Sequence, residues 1–317
     1  MIALEVVCPR CRSKNPIGRL FCATCRTRFE PQSNTSLKLD QFQCSADREA
    51  LEILESTGIL AYLVNQFIVK PVEQKQRDWL STHGQSLSCS NNIETLVEEC
   101  AYRLALETLP EVYTVEFDGS PNAFTFGNDT APVIVIDRRL IETMTQDELR
   151  ALLGHEMGHV KSRHLLFHSL ANTLAQGVGI SASLMGIGII STAMRLALMA
   201  WQRESEFTAD RAALISSGHP NHVASMFAVL LHLRRLPVPD SSSLLEDLSR
   251  LFQSHPNHVS RIKAVLEFSS SQDYKTIRRN VDHRWTLRKA LVSRCRFCSS
   301  PKQTAALFCS ECGKSQA

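Results

Sequence analysis

The chain has little net charge, because 35 Lys and Arg residues against 32 Asp and Glu residues leave a formal charge of only +3 over 317 residues. A charge this small argues against nucleic acid or an acidic membrane surface as the main partner. Aromatic residues are also scarce, at 7% of the chain, which leaves few rings for stacking on bases. Hydrophobic residues make up 44%, so the chain can build one sizeable core with small appendages.

The first residues, MIALEVVCPRCRSK, lack the apolar stretch and the small-residue cleavage site of a secretory signal. We therefore expect residence in the cytoplasm.

A stretch without Asp, Glu, Lys or Arg runs from His164 to Met194, but its most apolar part, Val178 to Ala193, is shorter than the roughly 20 residues of a membrane-spanning helix. It predicts a helical hairpin that turns near Gly177 to Gly188, in a soluble or peripherally membrane-associated protein. Membrane contact through 164–194 and an integral membrane protein remain the alternatives.

Cysteine, by contrast, is abundant and paired. CPRCRSKNPIGRLFCATC near the start and CRFCSSPKQTAALFCSEC near the end share ten residues between two CxxC pairs, with Leu-Phe before the second pair. Four thiolates on two tight turns suit tetrahedral zinc, and the metal replaces a core that so short a segment cannot build. Unrelated redox motifs would not repeat this spacing. The repeat predicts two structural zinc ribbons, with the ligands Cys8, Cys11, Cys22 and Cys25 in the first and Cys295, Cys298, Cys309 and Cys312 in the second.

The stretch ALLGHEMGHVKSRH, residues 151–164, contains the motif HExxH. Thr145 with Glu148 three residues later predicts a helix start with a capping box, which places the motif in mid-helix. His155 and His159 then share one helix face and can point at one metal ion. Glu156 lies one step round the helix, within reach of a water on that metal.

A catalytic zinc usually takes a third protein ligand. The metzincin pattern fails here, because Ser162 stands where that pattern has glycine. WQRESEFTADRAAL, residues 201–214, offers a carboxylate on a second helix. Glu206 is the predicted ligand, and Asp210, four residues on, can accept the outer N–H of a ligating histidine. Glu204 is the rival ligand.

Four stretches in this order make the chain resemble the zinc endopeptidases of the HtpX and CAAX-prenyl-protease type, the gluzincins of metallopeptidase family forty-eight. They are PNAFTFG at 121–127, LLGHEMGHV at 152–160, ESEFTADRAAL at 204–214 and SHPNHVSRI at 254–262. The resemblance covers roughly residues 47–268 and is closest to the non-secreted bacterial members. It implies an α+β, mostly helical fold with a metallopeptidase core and a small edge β-sheet. The two four-cysteine zinc ribbons predicted from the cysteine repeat would flank this core at the N- and C-terminal ends.

The resemblance also implies roles for individual residues. The zinc ligands would be His155, His159 and Glu206, with Glu156 as the general base. Asn122 and Ala123 would lie on an edge strand that pairs with an extended substrate. His255 and Arg261 would face the active site, where an N–H donor or a cation can stabilise a developing oxyanion.

The expected organisation is a zinc ribbon at 1–30, a linker at 31–46, a zinc metallopeptidase domain at 47–270, a linker at 271–290 and a zinc ribbon at 291–317. The expected function is hydrolysis of peptide bonds by Glu-assisted attack of a zinc-bound water, with protein quality control as a candidate role. One catalytic and two structural zinc ions would be bound. The alternative is a non-catalytic adaptor, whose ribbons and nearby arginines bind a protein partner in preference to nucleic acid.

Overall fold

The computed structural model of the chain describes residues 5–16, 19–30, 36–56, 62, 65–66, 70–87, 91–128, 130–175, 192–231, 256–294, 298, 301–303 and 312–314. The helices are α1 Ser45–Ser56, α2 Lys70–His83, α3 Asn91–Arg103, α4 Arg138–Thr143, α5 Gln146–Lys161, α6 Leu165–Ala175, α7 Thr192–Ser217, α8 Pro220–Leu230, α9 Pro256–Ser270 and α10 Gln272–Leu291. The strands are β1 Glu5–Val7, β2 Lys14–Pro16, β3 Gln85–Ser86, β4 Glu111–Val115, β5 Ala123–Asn128, β6 Ala131–Asp137, β7 Val292–Arg294 and β8 Pro301–Gln303. The fold is therefore mostly helical with small sheets, as predicted.

The main sheet has the strand order β3-β4-β6-β5, which leaves β5 at one edge. β4 runs parallel to β6, while β5 runs antiparallel to it. The middle of β6, from Val133 to Ile136, has no solvent exposure at all, which explains its unbroken apolar sequence. β4, β5 and β6 are the three long strands of this sheet, and β5, at its edge, lies beside α5.

The start of α5 has the capping box that the sequence predicts. The backbone N–H of Glu148 donates to Thr145 Oγ1 at 3.3 Å, and Glu148 Oε2 accepts from the Thr145 N–H at 2.6 Å. These two bonds satisfy N–H groups that a helix start leaves without intrahelical partners. The cap fixes where α5 begins and so places HExxH in its second half.

α5 and α7 pack against each other through very small residues, which we call the glycine seam: Gly154 and Gly158 of α5 against Ala209, Ala212, Ala213 and Ser216 of α7. A Cβ atom on Gly154 would lie 2.6 Å from Ser216 Cβ, and one on Gly158 would lie 2.8 Å from Ala212 Cβ. Only glycine permits so close an approach of two helix backbones. The seam brings the histidines of α5 to the carboxylates of α7.

We expect Gly154→Ala to lower the free energy of unfolding by about 1–3 kcal/mol, because the new methyl group overpacks the seam. The loss should appear although alanine is the better helix former by about 1 kcal/mol. Urea denaturation measures it, with Gly119→Ala as the control, since a Cβ atom on Gly119 would meet nothing within 4 Å. Equal stability of the two variants would show that the glycine seam can accommodate an additional methyl group.

The first ribbon is packed against the main hydrophobic core. Leu20 and Phe21 are buried in the same hydrophobic cluster as the residues of α5. Arg26 Nε donates to the carbonyl of Leu109 at 2.7 Å, and the Arg28 N–H donates to the carbonyl of Glu107 at 2.9 Å. Residues 19–30 therefore share buried surface with the segment that follows α3.

The structure corrects both linkers. In the first, residues 31–35 lie outside the described residues, but Leu37 and Phe42 are buried in the main core. The second, 271–290, is almost wholly α10. Tyr274, Ile277 and Val281 of that helix are buried in the main core. The sequence misled because α10 is rich in charge and buries only a narrow stripe of residues at steps of three and four.

A second hydrophobic cluster joins α1, α6 and α7 through Leu51, Phe167, Leu170 and Trp201. It holds α1 beside the metal-site helices. Among the helices of the described ranges, none is both long and apolar enough to cross a membrane. The hairpin turn expected near Gly177 to Gly188 falls outside those ranges.

Candidate active site

The three predicted ligands of the catalytic metal meet where α5 faces α7. The Nε2 atoms of His155 and His159 are 3.3 Å apart. Glu206 Oε2 lies 3.5 Å from the first of these nitrogens, and its Oε1 lies 3.5 Å from the second. Two imidazoles from one helix and one carboxylate from its neighbour thus converge on a single point.

This donor set fits a zinc ion. Two imidazoles with one glutamate are the protein ligands of several catalytic zinc sites, which leave one position open for water or substrate. The Nε2 atoms of His155 and His159 face each other across a distance at which two lone pairs would repel. The outer nitrogens already have partners, because His155 Nδ1 lies 3.0 Å from Asp210 Oδ1 and His159 Nδ1 lies 3.0 Å from His164 Nδ1. The Nε2 atoms of the two histidines are therefore the ones directed at a cation.

Asp210 and Arg261 contact the ligands His155 and Glu206. Asp210 is buried, and Arg261 donates to both of its carboxylate oxygens, from Nε and Nη2, at 2.7 Å each. Arg261 Nη1 also lies 3.0 Å from Glu206 Oε2. Burial raises the pKa of Glu206, but the hydrogen bond with His155 and the charges of His159 and Arg261 outweigh it and lower the pKa well below its ordinary value. Glu206 is therefore held as a carboxylate.

Arg261 lies at the site, as expected, but its contacts differ from the expected role. Each of its three nitrogens contacts a carboxylate of α7, so the geometry favours orientation of Asp210 and Glu206 over stabilisation of an oxyanion. His255, the other expected donor, lies outside the described residues.

Glu156 is buried beside the ligands, and its partner is a residue that sequence reasoning missed. Thr125 Oγ1, on β5, donates to Glu156 Oε2 at 2.5 Å. Burial raises the pKa of Glu156 above its ordinary value, although the charge of His155 and this hydrogen bond act against the rise. The expected substrate residues lie at the start of the strand that carries Thr125. Ala123 begins β5, and Asn122 directly precedes it, with its carbonyl accepting from the Asp137 N–H at 2.9 Å.

The four cysteines of the first ribbon form a second group that can hold a metal ion. Cys8 Sγ lies 3.5 Å from Cys25 Sγ, and Cys11 Sγ lies 3.6 Å from Cys22 Sγ. Short distances between unlinked thiols are typical of a shared zinc ion.

The second ribbon is described only in part, since Cys295 and Cys309 lie outside the described residues, whereas Cys298 and Cys312 lie within them. Its strands repeat the pairing of the first ribbon. β1 pairs with β2 so that Val7, the residue before Cys8, lies opposite Lys14. β7 pairs with β8 so that Arg294, the residue before Cys295, lies opposite Pro301. The two hairpins therefore have the same register relative to their first cysteine.

Three arginines that supported the adaptor alternative contact the peptidase core instead. Arg19 Nη2 lies 2.7 Å from Glu94 Oε1. Arg26 donates to backbone carbonyls, and the Arg28 guanidinium lies 4.5 Å from the centre of the Tyr102 ring. These three side chains are therefore engaged within the protein, which weakens the case for a nucleic-acid partner.

Comparison with known proteins agrees with the site. A model described as Peptidase family M48 matches residues 87–269, which include His155, His159 and Glu206, the group at the α5–α7 contact that could hold a metal ion. The chain belongs to peptidase family M48. As an M48 member it is a metallopeptidase, a hydrolase that acts on polypeptides, and the family is zinc-dependent.

Three relatives in the family show the degree of similarity. The chain is 30% identical over 236 residues to the plastoglobule-localized metallopeptidase 48, chloroplastic, of Arabidopsis thaliana, with 66% of this chain and 67% of that protein covered. It is 28% identical over 192 residues to a protease HtpX homolog of Campylobacter concisus, with 49% of this chain and 66% of that protein covered. A protease HtpX homolog of Janthinobacterium is 25% identical over 242 residues, with 66% and 82% covered. The ribbons and α1 lie before or after the residues that the M48 model matches.

Proposed function

We propose that the chain is a zinc metalloendopeptidase whose catalytic zinc is held by His155, His159 and Glu206, with Glu156 as the general base. The observation that carries the proposal is the convergence of three donor atoms from α5 and α7, all within 4.8 Å of one another. When bound, zinc supplies Lewis-acid activation of water and of the scissile carbonyl.

Glu156 takes the proton of the attacking water and returns it to the leaving amine. Its carboxylate is suited to this step, because burial raises its pKa and so makes it a stronger base than a solvated glutamate. Asp210 holds the ring of His155, and Arg261 holds the carboxylates of Asp210 and Glu206 in turn. These contacts keep the ligands in place without reorganisation during the reaction.

The substrate would bind in an extended form along β5. β5 lies at an edge of the main sheet and carries Thr125, which reaches Glu156. An added strand is held mainly by backbone hydrogen bonds, so such a site accepts many sequences provided that they are extended. Unfolded proteins offer such segments, which supports a role in protein quality control.

Zinc content and cleavage of an unfolded protein, measured on the same preparation, test the proposal. We expect one catalytic zinc in addition to the two structural zinc ions of the ribbons, and cleavage that disappears with the catalytic zinc. Undiminished cleavage by protein whose peptidase site is free of metal would overturn the proposal.

Thr125→Val should lower kcat about 10–100-fold, because the hydrogen bond holds the Glu156 carboxylate in the orientation that proton transfer needs, and a misplaced catalytic group can cost about 100-fold. Thr125→Ser is the matched control, since it keeps the hydroxyl, and it should stay near the wild-type rate. Steady-state cleavage of a fluorogenic peptide separates kcat from KM. Equal losses in the valine and serine variants would assign the effect to packing of β5 and not to the bond with Glu156.

A further inference from the structure

His164, just after α5, is placed against the ligand His159 by the way the helix ends. Arg163 adopts a left-handed conformation, with φ at 61°. The His164 N–H then donates to the carbonyl of His159 at 3.0 Å, a bond typical of turns that end helices. The turn folds the imidazole of His164 back under the metal site, where it has no solvent exposure.

Asp47, in the first turn of α1, completes a chain of contacts to the metal site. Its Oδ2 lies 3.1 Å from His164 Nε2, and His164 Nδ1 lies 3.0 Å from His159 Nδ1. Asp47 and His164 are 117 residues apart in sequence and both are fully buried. The order of contacts is therefore Asp47, His164, His159.

The order of contacts admits one arrangement of protons when a metal is bound. A neutral imidazole that binds metal through Nε2 carries its proton on Nδ1. The Nδ1–H of His159 must then donate to His164 Nδ1, which has to be unprotonated. His164 carries its proton on Nε2 as a result, and Nε2–H donates to Asp47 Oδ2.

The surroundings of Asp47 require the same arrangement from the other end. Its Oδ1 accepts from Trp201 Nε1 at 2.9 Å, and its Oδ2 accepts from Thr208 Oγ1 at 2.7 Å. The Thr208 hydroxyl is oriented as a donor, because its oxygen already accepts from the Cys44 N–H at 3.0 Å. Asp47 is thus surrounded by donors, and a carboxylate in that position can only accept from His164.

We propose that Asp47 and His164 are positioning residues for the ligand His159, and that α1, which lies outside the span matched by the family model, completes the metal site. The pair does for His159 what Asp210 does for His155, since each outer Nδ1 has a buried, fixed acceptor. The inference rests on the proposed function, because it takes His159 Nε2 as a metal ligand.

A rival interpretation places a separate metal ion among His159, His164 and His168, whose ring nitrogens also cluster. The contacts disfavour it. His159 and His164 face each other through their Nδ1 atoms at hydrogen-bond distance, and His168 Nε2 lies 2.7 Å from Ser205 Oγ. In the described residues, each of these nitrogens is thus already at hydrogen-bond distance of a neighbour.

Asp47→Asn tests the proposal, with Trp201→Phe as the matched control. The asparagine amide group would face one of the four donors around residue 47, which are Gln43, His164, Trp201 and Thr208. Trp201→Phe removes one bond to Asp47 and leaves the hydrogen bond between Asp47 and His164 intact. Zinc affinity of the peptidase site is measured by competition with a chelator too weak to strip the cysteine ribbons. We expect about 10–100-fold weaker zinc binding in Asp47→Asn and wild-type affinity in Trp201→Phe, although both variants lose thermal stability.

A measurement on the zinc-loaded wild-type protein needs no variant. Nitrogen-15 NMR of the histidine side chains should place the His164 proton on Nε2. A proton on Nδ1, or equal zinc affinities in Asp47→Asn and Trp201→Phe, would overturn the proposal. Either result would leave the proposed function standing, because different results overturn that function, namely undiminished cleavage by Glu156→Gln or by protein whose peptidase site is free of metal.

Discussion

Glu156→Gln is expected to lower kcat about 10²–10⁴-fold while zinc content stays at the wild-type level. The fall is the usual contribution of a general base. Zinc should remain because the ligand cluster consists of His155, His159 and Glu206 and does not include Glu156. Glutamine keeps the shape of the side chain and can still accept the hydrogen bond from Thr125, so the fold should be unaffected.

The measurement is cleavage of an unfolded protein by zinc-loaded enzyme, with zinc counted in the same sample. Glu142→Gln is the control, because it makes the same chemical change at an exposed position on α4. Cleavage by Glu156→Gln at the rate of this control would remove Glu156 from the mechanism.

Glu206→Gln should abolish activity by a different route, through loss of the metal. We expect zinc affinity at the peptidase site to fall by more than ~100-fold, which exceeds the loss for a residue that only orients a ligand. The neutral amide is a poor zinc ligand, and the change also leaves Arg261 Nη1 without its carboxylate partner. Activity should fall in proportion to the zinc that is lost.

Glu204→Gln is the matched control on the same helix. Glu204 rivals Glu206 in the sequence, but it is absent from the ligand cluster among the described residues. It should keep both zinc and activity. The reverse pattern, with zinc kept in Glu206→Gln and lost in Glu204→Gln, would show that the site is built on the other face of α7.

The parts of the site that follow a helical period were predictable from the sequence. His155 and His159, and Glu206 and Asp210, are each four residues apart, so each pair shares a face before the fold is known. The cap at Thr145 indicated where α5 begins, and so that the HExxH motif lies inside a helix. No local sequence pattern, however, indicates that α5 and α7 pack against each other. That prediction came from the resemblance to a known family.

The missed residues share a different property. Thr125, His164 and Asp47 act through contacts between segments that are distant in sequence or that follow a turn. No helical or strand periodicity in the sequence indicates such contacts. The only signal for His164 was its place five residues after the second histidine of the motif. Arg261 shows the complementary case, because the family pattern singled out the residue but did not indicate that it contacts Asp210 and Glu206.

The glycine seam has a consequence for how the sequence can vary. Because Gly154 and Gly158 set the distance between α5 and α7 by direct backbone contact, that distance does not depend on residues 176–191, which follow α6 and precede α7 in the sequence. Insertions, deletions and changes of polarity at 176–191 should therefore be tolerated far better than a single methyl group in the seam. Homologous chains could then differ in the length and polarity of the segment that corresponds to 176–191, while their hydrolytic chemistry stays the same.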